Sequence, residues 1–509
     1  MQAAVQKLLQ SLSWGQTVAP QALGEVNKSG ISNLARIYEM ARNALEYRAD
    51  HLMRRAAIER ILRRENVFQN DAGELLTVLG QELVWARYVG EQEWIRAHKS
   101  GLLLTVAGYL KWISKSKAPR DWLFGVMSAE IEQTLNPNQD YRQFNIFAFN
   151  ALKNRVVVRN TVDADLILYA AVELVYGQTD EVGLAFRLFE LVREQGGLEV
   201  RDQPDGGLGV AYEYFRKINQ NRLLNSASAA MRKQGGPLYL IRDIYFADPQ
   251  SFSKNISDHA MFESTGRKVL AYQLGLVKGR ISRATGRSIL YVFLTKVILG
   301  VGVEVPAERL FQGGINPVAL VINLLTPVVV MWILARQIKF PSEKEQQKLL
   351  DRAWQIMTDF DASPTDHEVM YVGAGKLKWQ EAIFYGLYVM LFGLIFAALY
   401  AGLTVIGFSV VSILVFVFFL SVVAFFAYRI QLSAQIYSYN LRAGRRAGLG
   451  DMLMLPLVMV GGKVSQGISR LNFLAFVFDF LLEAPFKTIL RFLDSWTNFL
   501  SVKRDEIVG

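Results

Sequence analysis

The stretch that decides the fold is Ala382 to Tyr428, AIFYGLYVMLFGLIFAALYAGLTVIGFSVVSILVFVFFLSVVAFFAY, 47 residues without one charged side chain. A helix crossing the hydrocarbon core of a bilayer needs about 20 residues, so two crossings fit, joined near Gly402 to Ser409 where glycines interrupt the pattern. A water-soluble core helix of this length and composition would have no polar face to show to water. Working outward, Ile315 to Ala335 is also uncharged, although it carries Asn316, Pro317, Asn323 and Pro327. Proline is tolerated in a crossing helix when neighbours satisfy the freed carbonyl. Before it, Ile289 to Val305 is apolar except for Lys296 and Glu304. The short link from Pro306 to Gly314 makes these two segments a helical hairpin. Four crossings are therefore expected.

Lysine and arginine in the flanks orient them. Arg267, Lys268, Lys278, Arg280, Arg283 and Arg287 precede the first crossing. Arg336, Lys339, Lys344 and Lys348 follow the second, and Arg429, Arg442, Arg445 and Arg446 follow the fourth. The opposite-side links hold only Arg309. Residues 1–285, the 336–381 loop and the C-terminal region are thus expected on the cytoplasmic side of an inner membrane. The first twenty residues, Met1 to Pro20, are amphipathic and lack an apolar core with a small-residue cleavage site, which agrees.

Composition is consistent with this division. Of 509 residues 51% are hydrophobic and only 20% charged, and the formal net charge is +10. Position assigns much of that positive excess to membrane flanks, which makes nucleic acid the weaker reading. There is no cysteine, so disulfides, thiolate metal sites and cysteine nucleophiles are excluded.

The expected fold is mainly all-α: a cytoplasmic helical bundle (1–285), a transmembrane hairpin (286–335), a cytoplasmic loop with a helix (336–381), a second hairpin (382–430) and an interfacial region (431–509). In the bundle, Ile31 to Arg64 and Gly73 to Ile113 are long periodic stretches without proline, and Arg155 to Val158 or Pro237 to Phe246 read as short strands. Leu453 to Val460 is apolar but too short to cross, so it is expected in the interface or re-entrant. From Leu471 to Leu500 the charges Asp479, Glu483, Lys487, Arg491 and Asp494 fall at spacings of four, four, four and three. They make one narrow stripe on an otherwise apolar helix, bent at Pro485, which suits a helix lying in the plane of the interface.

Gly375-Lys376 and Gly462-Lys463 lack the remainder of a phosphate-binding loop. The four histidines, His51, His98, His259 and His367, are scattered, and no zincin pattern exists, so no metal or cofactor is expected. Gly448-Leu449-Gly450-Asp451 looks like the motif of intramembrane aspartyl proteases, but that reaction needs two carboxylates sharing a proton. The matching Tyr-Asp pair is absent from the sequence, and chance is the better account of the motif. Lys296 is the candidate that remains. A charge in a crossing helix faces a partner or a water-filled cavity, and Glu304 lies about 12 Å further along a regular helix, too far for direct pairing. Lys296, Glu304, Asn323 and the stripe residues Asp479, Glu483, Lys487 and Arg491 are the candidate functional residues. Arg54, Arg55, Arg60, Arg63 and Arg64 form a candidate basic surface, with Glu59 and Glu65 beside them as the plainer explanation.

Three further pieces carry a resemblance. Val303-Glu304-Val305-Pro306, Ile315-Asn316-Pro317, and above all Phe476-Val477-Phe478-Asp479-Phe480-Leu481-Leu482-Glu483-Ala484-Pro485-Phe486-Lys487 resemble, in this order, an uncharacterised family of bacterial polytopic membrane proteins. The resemblance covers the membrane half and extends to the arginine-rich helix at Arg54 to Arg64. It implies architecture and no catalytic residue. The expected function is a non-enzymatic integral membrane protein that anchors a cytoplasmic helical domain, as a scaffold or envelope-assembly component. Its expected partners are the lipid bilayer and a cytoplasmic or membrane protein. A transporter or channel using Lys296 and the Asp479–Asp494 stripe, lining a conduit between copies of the chain, is the alternative.

Overall fold

A computed structural model describes residues 3–12, 50–65, 71–97, 101–136, 139–159, 161–195, 203–312, 317–338, 340–359, 369–373, 378–437, 439 and 449–470, with 492, 496, 499 and 500. It is mostly helical, as the sequence predicts. The chain divides into two compact units. One holds Met1–Gln6, Asn154–Asn160 and Arg232–Asn472; the other holds Lys7–Lys153, Thr161–Met231 and Phe473–Gly509.

After α1 (Ala3–Ser11), the second unit is built from α2 (Asp50–Arg64), α3 (Ala72–Trp85), α4 (Glu91–Ala97), α5 (Leu103–Ile113), α6 (Arg120–Leu135) and α7 (Gln139–Lys153). Past β1 (Val156–Val158) it continues with α8 (Ala164–Val175), α9 (Glu181–Gln195) and α10 (Leu208–Asn219). The expected long stretch from Gly73 to Ile113 is thus three helices. Asp71 starts α3 by accepting from the Gly73 amide, which satisfies one of the four unpaired amides of a helix start. Leu75, Leu79 and Leu83, four residues apart, bury one face of α3. Helix α6 is the hub: Leu123 to Ala129 are buried without interruption, and it packs on both α2 and α9. Gly125 permits the closest approach, since a Cβ there would lie 3.0 Å from Val182 Cγ1 of α9.

Helix α11 (Arg222–Gln234) lies in this same unit up to Met231, and the other contains its last turn, then α12 (Gly236–Ala247), α13 (Phe252–Asn255) and α14 (His259–Leu299), 41 residues long. Pro237 to Phe246, read as a strand candidate, is helix α12, because Pro237 sits in the first turn where its missing N–H costs nothing. Helix α14 runs unbroken through residue 285, the expected boundary. At its end Gly300–Glu304 form a π-helical turn, followed by α15 (Val305–Gln312), α16 (Pro317–Arg336), α17 (Glu343–Thr358), β2 (Met370–Val372), α18 (Lys378–Val405), α19 (Val410–Ala434) and α20 (Leu449–Arg470). The strand expected at Arg155 to Val158 is present as β1, in parallel register with β2, Val156 opposite Met370. Ser342 and Glu345 close a reciprocal cap on α17, and Trp354 of α17 packs against Phe262 of α14 at 5.4 Å.

Among the described residues three helices are long and apolar enough to cross a membrane: Pro317–Arg336, Ala382–Val405 and Val410–Ala434. The turn between the last two is at Ile406 to Phe408, where Gly407 adopts φ 89°, a left-handed conformation that glycine takes without penalty. Ser409 caps α19 by accepting from the Ser412 amide. Half of the α19 span is buried and only 6% of the α18 span. Helix α19 therefore sits at the centre, against α14, α16 and α20, while α18 presents Phe384, Leu387, Met390 and Leu394 outward. Leu449–Arg470 is a 22-residue helix lying along α19, longer than the short interfacial segment expected at Leu453 to Val460. Its glycines allow this, as Gly461 meets the Ser421 carbonyl directly.

Candidate functional site

Six polar side chains buried among the apolar helices collect at one place. Lys296 lies in the last turn of α14, Glu304 ends the π-helical turn, and Asn323 lies in the second turn of α16. All three are 1% exposed. Lys296 Nζ donates to Glu304 Oε1 at 2.7 Å, and Asn323 Nδ2 donates to Glu304 Oε2 at 2.7 Å. The separation expected for a regular helix is therefore corrected. A π turn bonds residue i to i+5 and rises less per residue than an α turn, so Gly300–Glu304 draws the carboxylate back toward the lysine. The Lys296 ammonium also stands 4.8 Å from the centre of the Phe419 ring of α19, a favourable cation–π placement.

One turn beyond Glu304, at i+4 and so on the same face, is Glu308, which is 2% exposed. Ser412 Oγ of α19 donates to Glu308 Oε1 at 2.8 Å, and Ser409 Oγ donates to Ser412 Oγ at 3.0 Å. Glu308 Oε2 and Asn323 Oδ1 are buried without a hydrogen-bond partner among the described residues. Pro327 lies four residues after Asn323 and has no N–H to give that residue's main-chain carbonyl. The cluster ties α14, the π turn, α15, α16 and α19 through one lysine, two carboxylates, one amide and two hydroxyls.

The sequence reading found Lys296, Glu304 and Asn323 but missed Glu308, Ser409 and Ser412. The signal for Glu308 was its spacing of four from Glu304. Nothing local marks Ser412, whose partner is 104 residues away. Asp479, Glu483, Lys487 and Arg491 lie outside the described residues.

The basic surface on α2 is a set of ion pairs. Arg54 bonds Glu132 of α6 at 2.7 Å, Arg55 bonds Glu59 at 2.7 Å and Asp180 at 2.6 Å, Arg63 reaches Glu59 at 2.6 Å and Asp121 at 2.9 Å, and Arg64 bonds Glu82 at 2.5 Å. Arg60 is half-buried on the same helix. The arrangement secures α2 to α3 and α6, with four of its guanidiniums already engaged.

A second network, which sequence reasoning did not find, lies among α6, α7, α8 and α9. Asn145 donates to Glu173 Oε2 at 3.1 Å, and Arg187 holds Glu190 at 2.6 Å and Gln133 at 2.8 Å while lying 3.9 Å from Glu173. Burial raises the Glu173 carboxyl above the usual carboxylate range, against the lowering effect of Arg187. Glu130, accepting from the Tyr109 hydroxyl at 2.6 Å, is likewise raised by burial. Every described carboxylate of this network has a donor, which suits packing rather than turnover. Among the described residues no group of three or more histidine, cysteine, aspartate or glutamate side chains is placed to hold a metal ion.

No protein-family model, curated protein or solved structure matches the chain.

Proposed function

We propose that this chain is a multi-pass inner-membrane protein whose helical domain, residues 1–285, stands in the cytoplasm and engages a protein partner, as a scaffold or envelope-assembly component without catalysis of its own. Four crossings are proposed: Ile289 to Val305, α16, α18 and α19, with both chain ends cytoplasmic. The resemblance to bacterial polytopic membrane proteins and an in-plane helix at Asp479 to Asp494 belong to the same reading. The observation that carries it is the pairing of Lys296. Its charge is neutralised by Glu304, whose second oxygen is taken by Asn323, so this cation, buried among the apolar helices, is a clamp between them and not an open binding group. Support for the orientation comes from Glu304 meeting the start of α16 and Glu308 meeting the start of α19. Two helices whose opening turns meet one short segment, Glu304 to Glu308, begin on one side of a bilayer, opposite the arginine-rich ends.

The cysteine-free chain makes the topology testable. A single cysteine at Lys344→Cys should react with a membrane-impermeant maleimide only from the cytoplasmic side, and one at Ile406→Cys only from the opposite side. In-cell crosslinking of the full chain, followed by detergent extraction, should recover a stoichiometric partner linked to the helical domain. Transport is the second reading, favoured by the incompletely paired Glu308. Solute flux in reconstituted vesicles that is lost on Lys296→Ala, with folding intact, would overturn the scaffold.

A further inference from the structure

The charges at the cluster do not balance. Lys296 carries one positive charge, and Glu304 and Glu308 carry two negative ones if both are ionised. Glu304 is committed to Lys296 at 2.7 Å. The other charged group nearby, Arg309, points outward and is exposed. Helix α16 has no titratable side chain before Arg336 and α19 none before Tyr428; they offer Asn323, Ser409 and Ser412. Among the described residues Glu308 is thus a carboxylate in apolar surroundings with no ion-pair partner, and an ionised group there is costly unless something positive joins it.

Its two oxygens differ. Oε1 accepts from Ser412, itself backed by Ser409, at the start of α19, where the helix dipole and the hydroxyl both favour a negative charge. Oε2 has no partner, and the same is true of Asn323 Oδ1, on the amide that serves Glu304 through Nδ2. Exchanging O and N in that amide would set an oxygen against a carboxylate, so the assignment stands. The Asn323 main-chain carbonyl, deprived of its donor by Pro327, is a third oxygen in the same segment. One side of Glu308 is built to hold charge and the other is left open.

We propose that Glu308 is an exchangeable binding site for one monovalent positive charge, a proton or an alkali cation, among the membrane helices. The charge joins Oε2 and neutralises the cluster; its departure leaves a carboxylate held by Ser412 and the α19 start. Because the group bridges α15 to α19, its occupancy bears on how tightly these helices are drawn together. The proposal rests on the placement of these helices in lipid.

The probe is dicyclohexylcarbodiimide, an apolar reagent that modifies protonated carboxyls in apolar surroundings, applied to the full chain in vesicles and read by peptide mass spectrometry. Glu308 should be modified at least about ten-fold faster than Glu304, both of whose oxygens are engaged, by Lys296 and by Asn323. Modification should fall as pH rises, along a one-proton curve. Ser412→Ala removes the hydroxyl that favours the ionised form and should raise the midpoint by about one pH unit, which a merely structural role would not do. Sodium chloride that slows modification at fixed pH, where choline chloride does not, assigns the site to an alkali cation; no effect assigns it to the proton alone. Glu308 left unmodified from about pH 5 to 9, while modified in the denatured chain, overturns the proposal, as does a midpoint unmoved by Ser412→Ala. Fractionation of the same vesicles separates the two failures: a chain that washes off in carbonate refutes the membrane placement, and a retained chain with inert Glu308 refutes only the charge site.

Discussion

The main-chain carbonyl of Ser421 in α19 fills the space where Gly461 of α20 would carry a Cβ; an ideal Cβ would stand 2.0 Å from that oxygen and 2.8 Å from Phe425 Cβ. Both atoms are fixed by the helix, so no side-chain rotation relieves the overlap. Close approach of this kind, allowed by small residues, is how helices associate where lipid removes the hydrophobic drive between them. Gly461→Ala should therefore push α20 off α19 and lower stability in detergent by about 1–3 kcal/mol, in spite of alanine's better helix propensity. Gly462→Ala is the control. Its Cβ would stand 3.3 Å from Phe425 Cε2, a ring edge that can yield, and the variant should unfold within about 1 kcal/mol of the parent. Equal losses in both variants would show that the α19–α20 contact is not what holds α20.

Lys296 and Glu304 form a pair buried on both sides. Removing one partner of a buried pair leaves an uncompensated charge, so Lys296→Ala should destabilise the chain by about 3–5 kcal/mol, whereas replacing both partners by neutral side chains of similar volume should cost much less. Thermal unfolding of Lys296→Ala, Glu304→Gln and Lys296→Met/Glu304→Gln, all in one detergent, measures the coupling. A double variant as unstable as the sum of the singles would mean that the two residues do not act on one another.

The membrane half was legible because its signal is one of composition. An uncharged run predicts two helices long and apolar enough to cross a membrane with a turn between them, and both are present, with the turn at Gly407 inside the expected 402–409. The crossing expected at Ile289 to Val305 is not among the three candidate spans. Ile289 to Leu299 continues a 41-residue helix whose earlier part is rich in charge, and a π turn interrupts it at Gly300. That turn is also why the Lys296–Glu304 pair could not be read from spacing. Residue separation converts to distance only while the helix is regular. The pairing of Ser412 with Glu308 was invisible for a different reason: it exists only in the packing of α15 against α19. In the other unit the arginines of α2 looked like a surface because their partners Glu132 and Asp180 are 78 and 125 residues away.

Glu173 gives the helical domain a pH dependence of determined sign. Burial raises its pKa above the ordinary value of 4.5, so the folded chain binds this proton more tightly than the unfolded chain does. Stability should be greatest below the ordinary carboxylate range and should fall as pH rises through the raised folded value. Glu173→Gln keeps an acceptor for Asn145 without titrating, and should flatten the slope of thermal midpoint against pH over that window. Glu130 is raised for the same reason and leaves a smaller slope of the same sign in the Gln variant. A slope unchanged by Glu173→Gln would place the titration elsewhere.

The arginines of α2 separate a structural clamp from a binding surface. Arg63 pairs with Asp121 while 41% and 79% exposed, respectively, and exposed pairs of this kind contribute about 0–1 kcal/mol. Arg55 is 6% exposed and holds Glu59 and Asp180 together. Arg55→Ala should cost about 2 kcal/mol, less than a fully buried pair because Asp180 stays partly solvated, and Arg63→Ala should cost almost nothing at high salt. If α2 served an acidic lipid surface or a nucleic acid instead, the order would reverse for binding: Arg63→Ala would weaken retention on anionic vesicles or duplex RNA while Arg55→Ala, its guanidinium already engaged, would not. Vesicle flotation and filter binding with both variants decide between the two, and the ion-pair geometry predicts no loss in either assay.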